Sequence, residues 1–121
     1  MKISCFNRKQ KEELSSAKCK KLLKDIEKLD KNLFNIASSL IDEISFMYAE
    51  LTDLKEIIKK SGAVEAYQNG ANQFGLKKSA ATDAYNTTLK NYVAVNKQLA
   101  ALISGKVAEE DDEFDNFLNE K

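Results

Sequence analysis

Eleven apolar residues, Leu22, Ile26, Leu29, Leu33, Ala37, Leu40, Ile44, Met47, Leu51, Leu54 and Ile58, follow one another at steps of three or four. A repeat close to 3.5 residues places them on one side of a helix, the pattern of a coiled-coil or bundle seam. Nothing in the composition cuts the seam short: the 121-residue chain has no proline and only four glycines, so helices longer than the common three turns are permitted. The stripe fits one helix over about residues 12–60, or two helices broken near Asp30, Lys31 and Asn32, with Asp30 or Asn32 as N-cap. The broken form is preferred.

Three of the four glycines fall in residues 61–79, SGAVEAYQNGANQFGLKKS. Gly62 can take the left-handed conformation that stops a helix. Ser79 then serves as N-cap of a further helix, with Asp83 in its first turn, Tyr85, Leu89, Tyr92, Val95, Leu99 and Leu102 on one face, and Gly105 at its end. Within the connector, Asn69-Gly70 is the strongest short hairpin signal, because both positions tolerate the positive φ of a type I′ turn. The expected fold is all-α. It is a long antiparallel helical hairpin over 32–106, preceded by a basic arm and additional N-terminal helix over 1–31. The connector 61–79 carries a small β-hairpin around residues 64–76, or else a polar loop, and a flexible acidic tail follows over 107–121.

Beside the main seam stand Phe34, Ile41 and Tyr48 on one flank and Ile36 and Ile57 on the other, while Phe46 lies off the arc. This arc is wider than one antiparallel helix can cover. Each large side chain left exposed forgoes about 1.5–3 kcal/mol, a large share of a domain stability of about 5–15 kcal/mol. A homo-oligomer through Phe34, Ile41, Phe46 and Tyr48 is therefore expected, with a monomeric three-helix bundle as the alternative.

The formal charge is zero but unevenly spread. Residues 1–30 carry nine Lys/Arg against five Asp/Glu, and residues 107–121 one Lys against seven Asp/Glu, so the tail is at −6 and all that precedes it at +6. Arg8, Lys9, Lys11, Lys18, Lys20, Lys21, Lys24 and Lys28 gather on the arm and first helix, where they suit sequence-independent contact with the phosphates of double-stranded DNA. An ion-paired helix face, with Glu12, Asp25 and Glu27 three or four positions away, is the competing reading. Lys59, Lys60, Lys77 and Lys78 bracket the connector as a second candidate patch or as helix-end partners. In the tail, Phe114, Phe117 and Leu118 stand at i, i+3 and i+4 and would share one side of a helix folded into a partner's groove.

Histidine is missing and Cys5 and Cys19 are the only cysteines, so a four-ligand zinc site cannot be assembled within the chain and no nucleophile–base pair is evident. No metal, no cofactor and no enzymatic activity are expected. The opening MKISCFNRKQKEE has no apolar h-region and no stretch approaches a membrane span of about 18 residues, so a reducing cytoplasm without membrane contact is the expected location.

From about Leu33 to Ser104 the run IDEISFMYAELTDLKEIIKKSGAVEAYQNGANQFGLKKSAATDAYNTTLKNYVAVNKQLAAL resembles the small terminase subunits of tailed phages and prophages of Gram-positive bacteria. The most specific parts are the helix ending in KKSG, the YQNGANQFG connector, the KKS that opens the next helix, and AYNTTLKNY. The likeness covers about six tenths of the chain, and a tail ending near DNFLN resembles many members too. It departs at Ala80, where many members have proline, and at Gly105, which leads straight into the acidic tail. The resemblance implies a non-enzymatic protein of the bacterial host's cytoplasm that assembles as a ring, binds viral DNA and delivers it to a large subunit holding the ATPase and nuclease. It makes Phe114, Phe117 and Leu118 the hook for that subunit. The reading from another class is a helical-hairpin adaptor, or a specialised-secretion hairpin protein, with no DNA role. Such secreted proteins carry Trp-x-Gly at the turn, where this chain has Gln68-Asn69-Gly70.

Overall fold

A computed structural model describes residues 5–68 and 70–105. The chain forms α1 (Arg8–Asp25), α2 (Lys31–Ser61), β1 (Val64–Gln68), β2 (Phe74–Lys78) and α3 (Ala80–Ser104). It is thus mostly helical, with a two-stranded antiparallel sheet set into the connector. Asn69 and residues 106–121, including Phe114, Phe117 and Leu118, lie outside the described residues.

Local chemistry fixes the helix ends. Asn7 opens α1 through a reciprocal capping box, its side chain accepting from the Gln10 amide at 2.8 Å while Gln10 accepts from the Asn7 amide at 2.9 Å. After α1 the chain breaks, and Asp30 restarts it as N-cap of α2 by accepting from the Leu33 amide at 2.9 Å. The long stripe is therefore divided between the end of α1 (Leu22), the turn that follows it (Ile26, Leu29) and α2 (Leu33 to Ile58). With 31 residues, α2 extends about 45 Å and stops at Gly62, whose φ of +90° few other residues would adopt. Ser79 caps α3 by accepting from the Thr82 amide at 3.2 Å, and Asp83 lies in its first turn.

Helix α2 forms the spine, with α1 and α3 both running antiparallel to it. Ile26 of α1's C-terminal cap, Ala37, Ile41 and Ile44 of α2, and Leu99 and Leu102 of α3 close one core, with Leu22, Leu23, Phe34, Tyr92 and Val95 packed around it. The flank predicted to meet other copies is thereby taken up inside the protomer. Ile41 is 0% exposed and has no surface to offer a neighbour. Phe34 packs on the core beside the α1 side chains, and the Tyr48 ring lies under the Lys18 ammonium at 4.9 Å from its centroid. Only Phe46 of the four expected contact residues stays open, at 59% exposed. On α3 the inner face runs through half-buried Thr88 instead of Leu89, which is exposed. The steps 85, 88, 92, 95, 99, 102 keep the 3.5-residue period that Leu89 would break.

The connector hairpin pairs Val64 with Lys78 through Gln68 with Phe74. Five residues, 69–73, join the strands, so the turn is longer than a two-residue type I′ loop, although Gly70 has the positive φ, +91°. Cross-strand pairing divides its side chains between two unlike faces. One is finished: Tyr67 lies across Gly75, where an added Cβ would stand 2.7 Å from the ring, and Lys77 sits over that ring while pairing with Glu65 at 3.6 Å. The other carries Val64, Ala66, Leu76 and Phe74, all exposed. At its base the Ala63 carbonyl accepts both the Ser79 amide and the Thr82 hydroxyl at 2.9 Å, which ties the strands to the start of α3.

Candidate nucleic-acid interface and helix groove

One carboxylate sets the position of the N-terminal helix. Asp53, 2% exposed in the C-terminal third of α2, accepts the Cys5 amide at 2.7 Å and the Phe6 amide at 2.8 Å on one oxygen, and the Lys11 ammonium at 3.1 Å on the other. Lys11 also reaches Glu50 at 3.3 Å. Burial alone would lower the Lys11 pKa, but the bonds to Asp53 and Glu50 outweigh it and hold the ammonium above the ordinary lysine value. Lys11 is thereby a structural residue.

The remaining basic side chains of this region divide in the same way. Arg8 pairs with Glu12 one turn on at 3.2 Å, and Lys18 is engaged by Tyr48. Lys9, Lys20, Lys21, Lys24 and Lys28 are exposed and make no ion pair among the described residues. Lys24 neighbours both Lys20 and Lys21 on the surface of α1, at i+4 and i+3, and the three form a positive patch with no ion-pair partner among the described residues. Asp25 and Glu27 do not pair with it. At the connector the outcome is the reverse, because Lys59 pairs with Glu56, Lys77 with Glu65 and Lys78 with Asp83. Of the second candidate patch only Lys60 is left unpaired among the described residues.

Between α1 and α2 runs an open groove of about 840 Å³. Cys19, Phe46 and Ala49 give it an apolar floor, and Arg8, Lys20, Asp42 and Glu50 stand among the polar residues that line it. Ser45, 1% exposed, also lines it, and its Oγ has no hydrogen-bond partner. A buried hydroxyl in that condition forgoes about 1–3 kcal/mol until an acceptor or donor reaches it.

Helix α3 presents a second stripe outside the core: Leu89, Val93, Asn96, Ala100 and Ile103, at steps of four and three and without a charge. Leu89, Val93 and Ile103 are exposed. Among the described residues no set of His, Cys, Asp and Glu could hold a metal ion, and no helix is long and apolar enough to cross a membrane.

The chain matches no protein-family model, no curated protein and no solved structure.

Sequence reasoning located the lysines and Phe46 but missed Asp53, the groove and the outer stripe of α3. Asp53 gave no local signal, since the amides it binds lie 47 and 48 residues upstream. The outer stripe was readable, as its 3.5-residue period stands in the sequence beside the inner one.

Proposed function

We propose that this protein is a small terminase subunit of a phage or prophage. In this reading it is a non-enzymatic DNA-binding adaptor that assembles as a homo-oligomeric ring in the bacterial cytoplasm and presents viral DNA to the large, ATPase- and nuclease-bearing subunit. The observation that carries the reading is the sorting of charge: three of the four connector lysines are paired, whereas Lys20, Lys21 and Lys24 of α1 make no ion pair among the described residues. Solvated lysines on one face contact phosphates by releasing counterions, without reading base edges. Assembly is supported by the apolar surface left open on the outer stripe of α3 and on one face of the hairpin. The sequence resemblance supplies the packaging role and the hook at Phe114, Phe117 and Leu118.

Binding of a double-stranded DNA fragment as a function of salt tests this. Three fewer phosphate contacts in Lys20→Gln/Lys21→Gln/Lys24→Gln should reduce the slope of log K against log salt by about 2.7. A wild-type chain that leaves DNA unretarded at low salt, or an unchanged slope in the variant, refutes it. The second reading, a helical-hairpin adaptor without a DNA role, is favoured by one observation: Arg8, Lys11 and Lys18 are all spent on contacts within the chain. It gives the unretarded result.

A further inference from the structure

We propose that the groove between α1 and α2 is the docking site for this chain's own acidic terminus, with Phe114, Phe117 and Leu118 seated over Cys19, Phe46 and Ala49. The groove sets two requirements. Its floor needs large apolar groups, because Phe46 stands 59% exposed over a space of about 840 Å³. Arg8 is matched by Glu12 and Lys11 by Glu50, whereas Lys20 in the lining and Lys21 and Lys24 beside it make no ion pair among the described residues. A segment that is apolar at its centre and acidic around it meets both conditions.

Residues 107–121 are such a segment. Seven acidic residues surround Phe114, Phe117 and Leu118, whose i, i+3, i+4 spacing gathers them on one side of a single helical turn. The chain also leaves the folded part in the right place. Leu99 and Leu102, in the last turns of α3, pack on Ile26, Ala37 and Ile41, so Gly105 lies beside the α1–α2 junction, and Asp42 of the groove follows Ile41 directly. Phe114 lies nine steps along the chain from Gly105, with eight residues between them, a reach of up to about 30 Å, while the groove from Asp42 to Glu50 extends about 12 Å along α2. Docking within one chain therefore needs no partner copy. It would cover Phe46 and bring carboxylates beside the lysines of α1, so that the terminus and an anionic ligand compete for the same face.

Cys19 on the groove floor supplies the test, which involves neither DNA nor a second protein and so stands or falls apart from the packaging role. In the full chain carrying Cys5→Ser, Cys19 is the sole thiol, and its rate of reaction with a maleimide is followed at low salt. Phe114→Ser/Phe117→Ser/Leu118→Ser should speed that reaction several-fold with an unchanged helical signal. In the Cys5→Ser chain, adding Phe117→Cys and a mild oxidant should link the new thiol to Cys19 within one chain, leaving the protein at single-chain mass on a non-reducing gel. Equal labelling rates overturn the proposal. A cross-link formed only between chains also overturns it, and assigns the groove to another copy's terminus.

Discussion

Asp53 binds two amides and an ammonium that belong to the arm and first turn of α1, so its removal acts on the attachment of the whole helix. Asp53→Ala leaves the Cys5 and Phe6 amides without their acceptor and the half-buried Lys11 ammonium with Glu50 alone, and urea unfolding should show a loss of about 3 kcal/mol. The pH dependence has a defined sign. Because folding raises the Lys11 pKa above 10.5, its contribution is complete below 10.5 and disappears as pH rises through the raised value. Stability should therefore fall more steeply above pH 10.5 in the wild type than in Lys11→Met, as followed by thermal melts across the alkaline range. A second single-residue test concerns Gly75. An alanine there drives its Cβ to 2.7 Å from the Tyr67 ring, so Gly75→Ala should weaken the hairpin by about 1–3 kcal/mol, seen as faster amide exchange in β1 and β2 with α2 unaffected. Local signals at this scale were legible in the sequence: Asp30 and Ser79 as caps and Gly62 and Gly105 as stops each act on backbone groups within four residues. Asp53 was not legible, because its partners meet it only through packing.

At the scale of elements, the two-helix reading of the long stripe rests on the capping signal near Asp30, Lys31 and Asn32, and the chain breaks there, between Asp25 at the end of α1 and Lys31 at the start of α2. Sequence period alone, however, does not say which helix covers which flank. Of the flank read as a contact surface, Ile41 is buried in the core and Tyr48 lies under Lys18 of α1. The uncovered faces are elsewhere, on the hairpin and on α3. A two-stranded hairpin by itself is marginally stable in water, and one with Phe74 and Leu76 more than 70% exposed gains most from an apolar cover. Val93→Asp and Leu76→Asp should each reduce the mass of the assembly in solution while leaving the helical signal intact. Ile44→Ala, by contrast, should lower stability by about 2–5 kcal/mol through a core cavity, measured by urea unfolding.

For the whole molecule, two kinds of surface are left unbalanced: a positive patch on α1 and apolar faces on α2, α3 and the hairpin. Both point to association, the first with an anion and the second with like chains, since apolar area left in water costs roughly 25 cal/mol per Å². The terminus, if seated in the groove, would link the two by covering Phe46 and opposing the lysines at once. The central claim is that this chain does not stand alone, and light scattering coupled to size exclusion tests it most directly. At micromolar concentration the full chain should elute with a mass that is a multiple of 13.6 kDa, shifting downward in Val93→Asp. A mass of 13.6 kDa throughout the micromolar range, in wild type and variant alike, would contradict it.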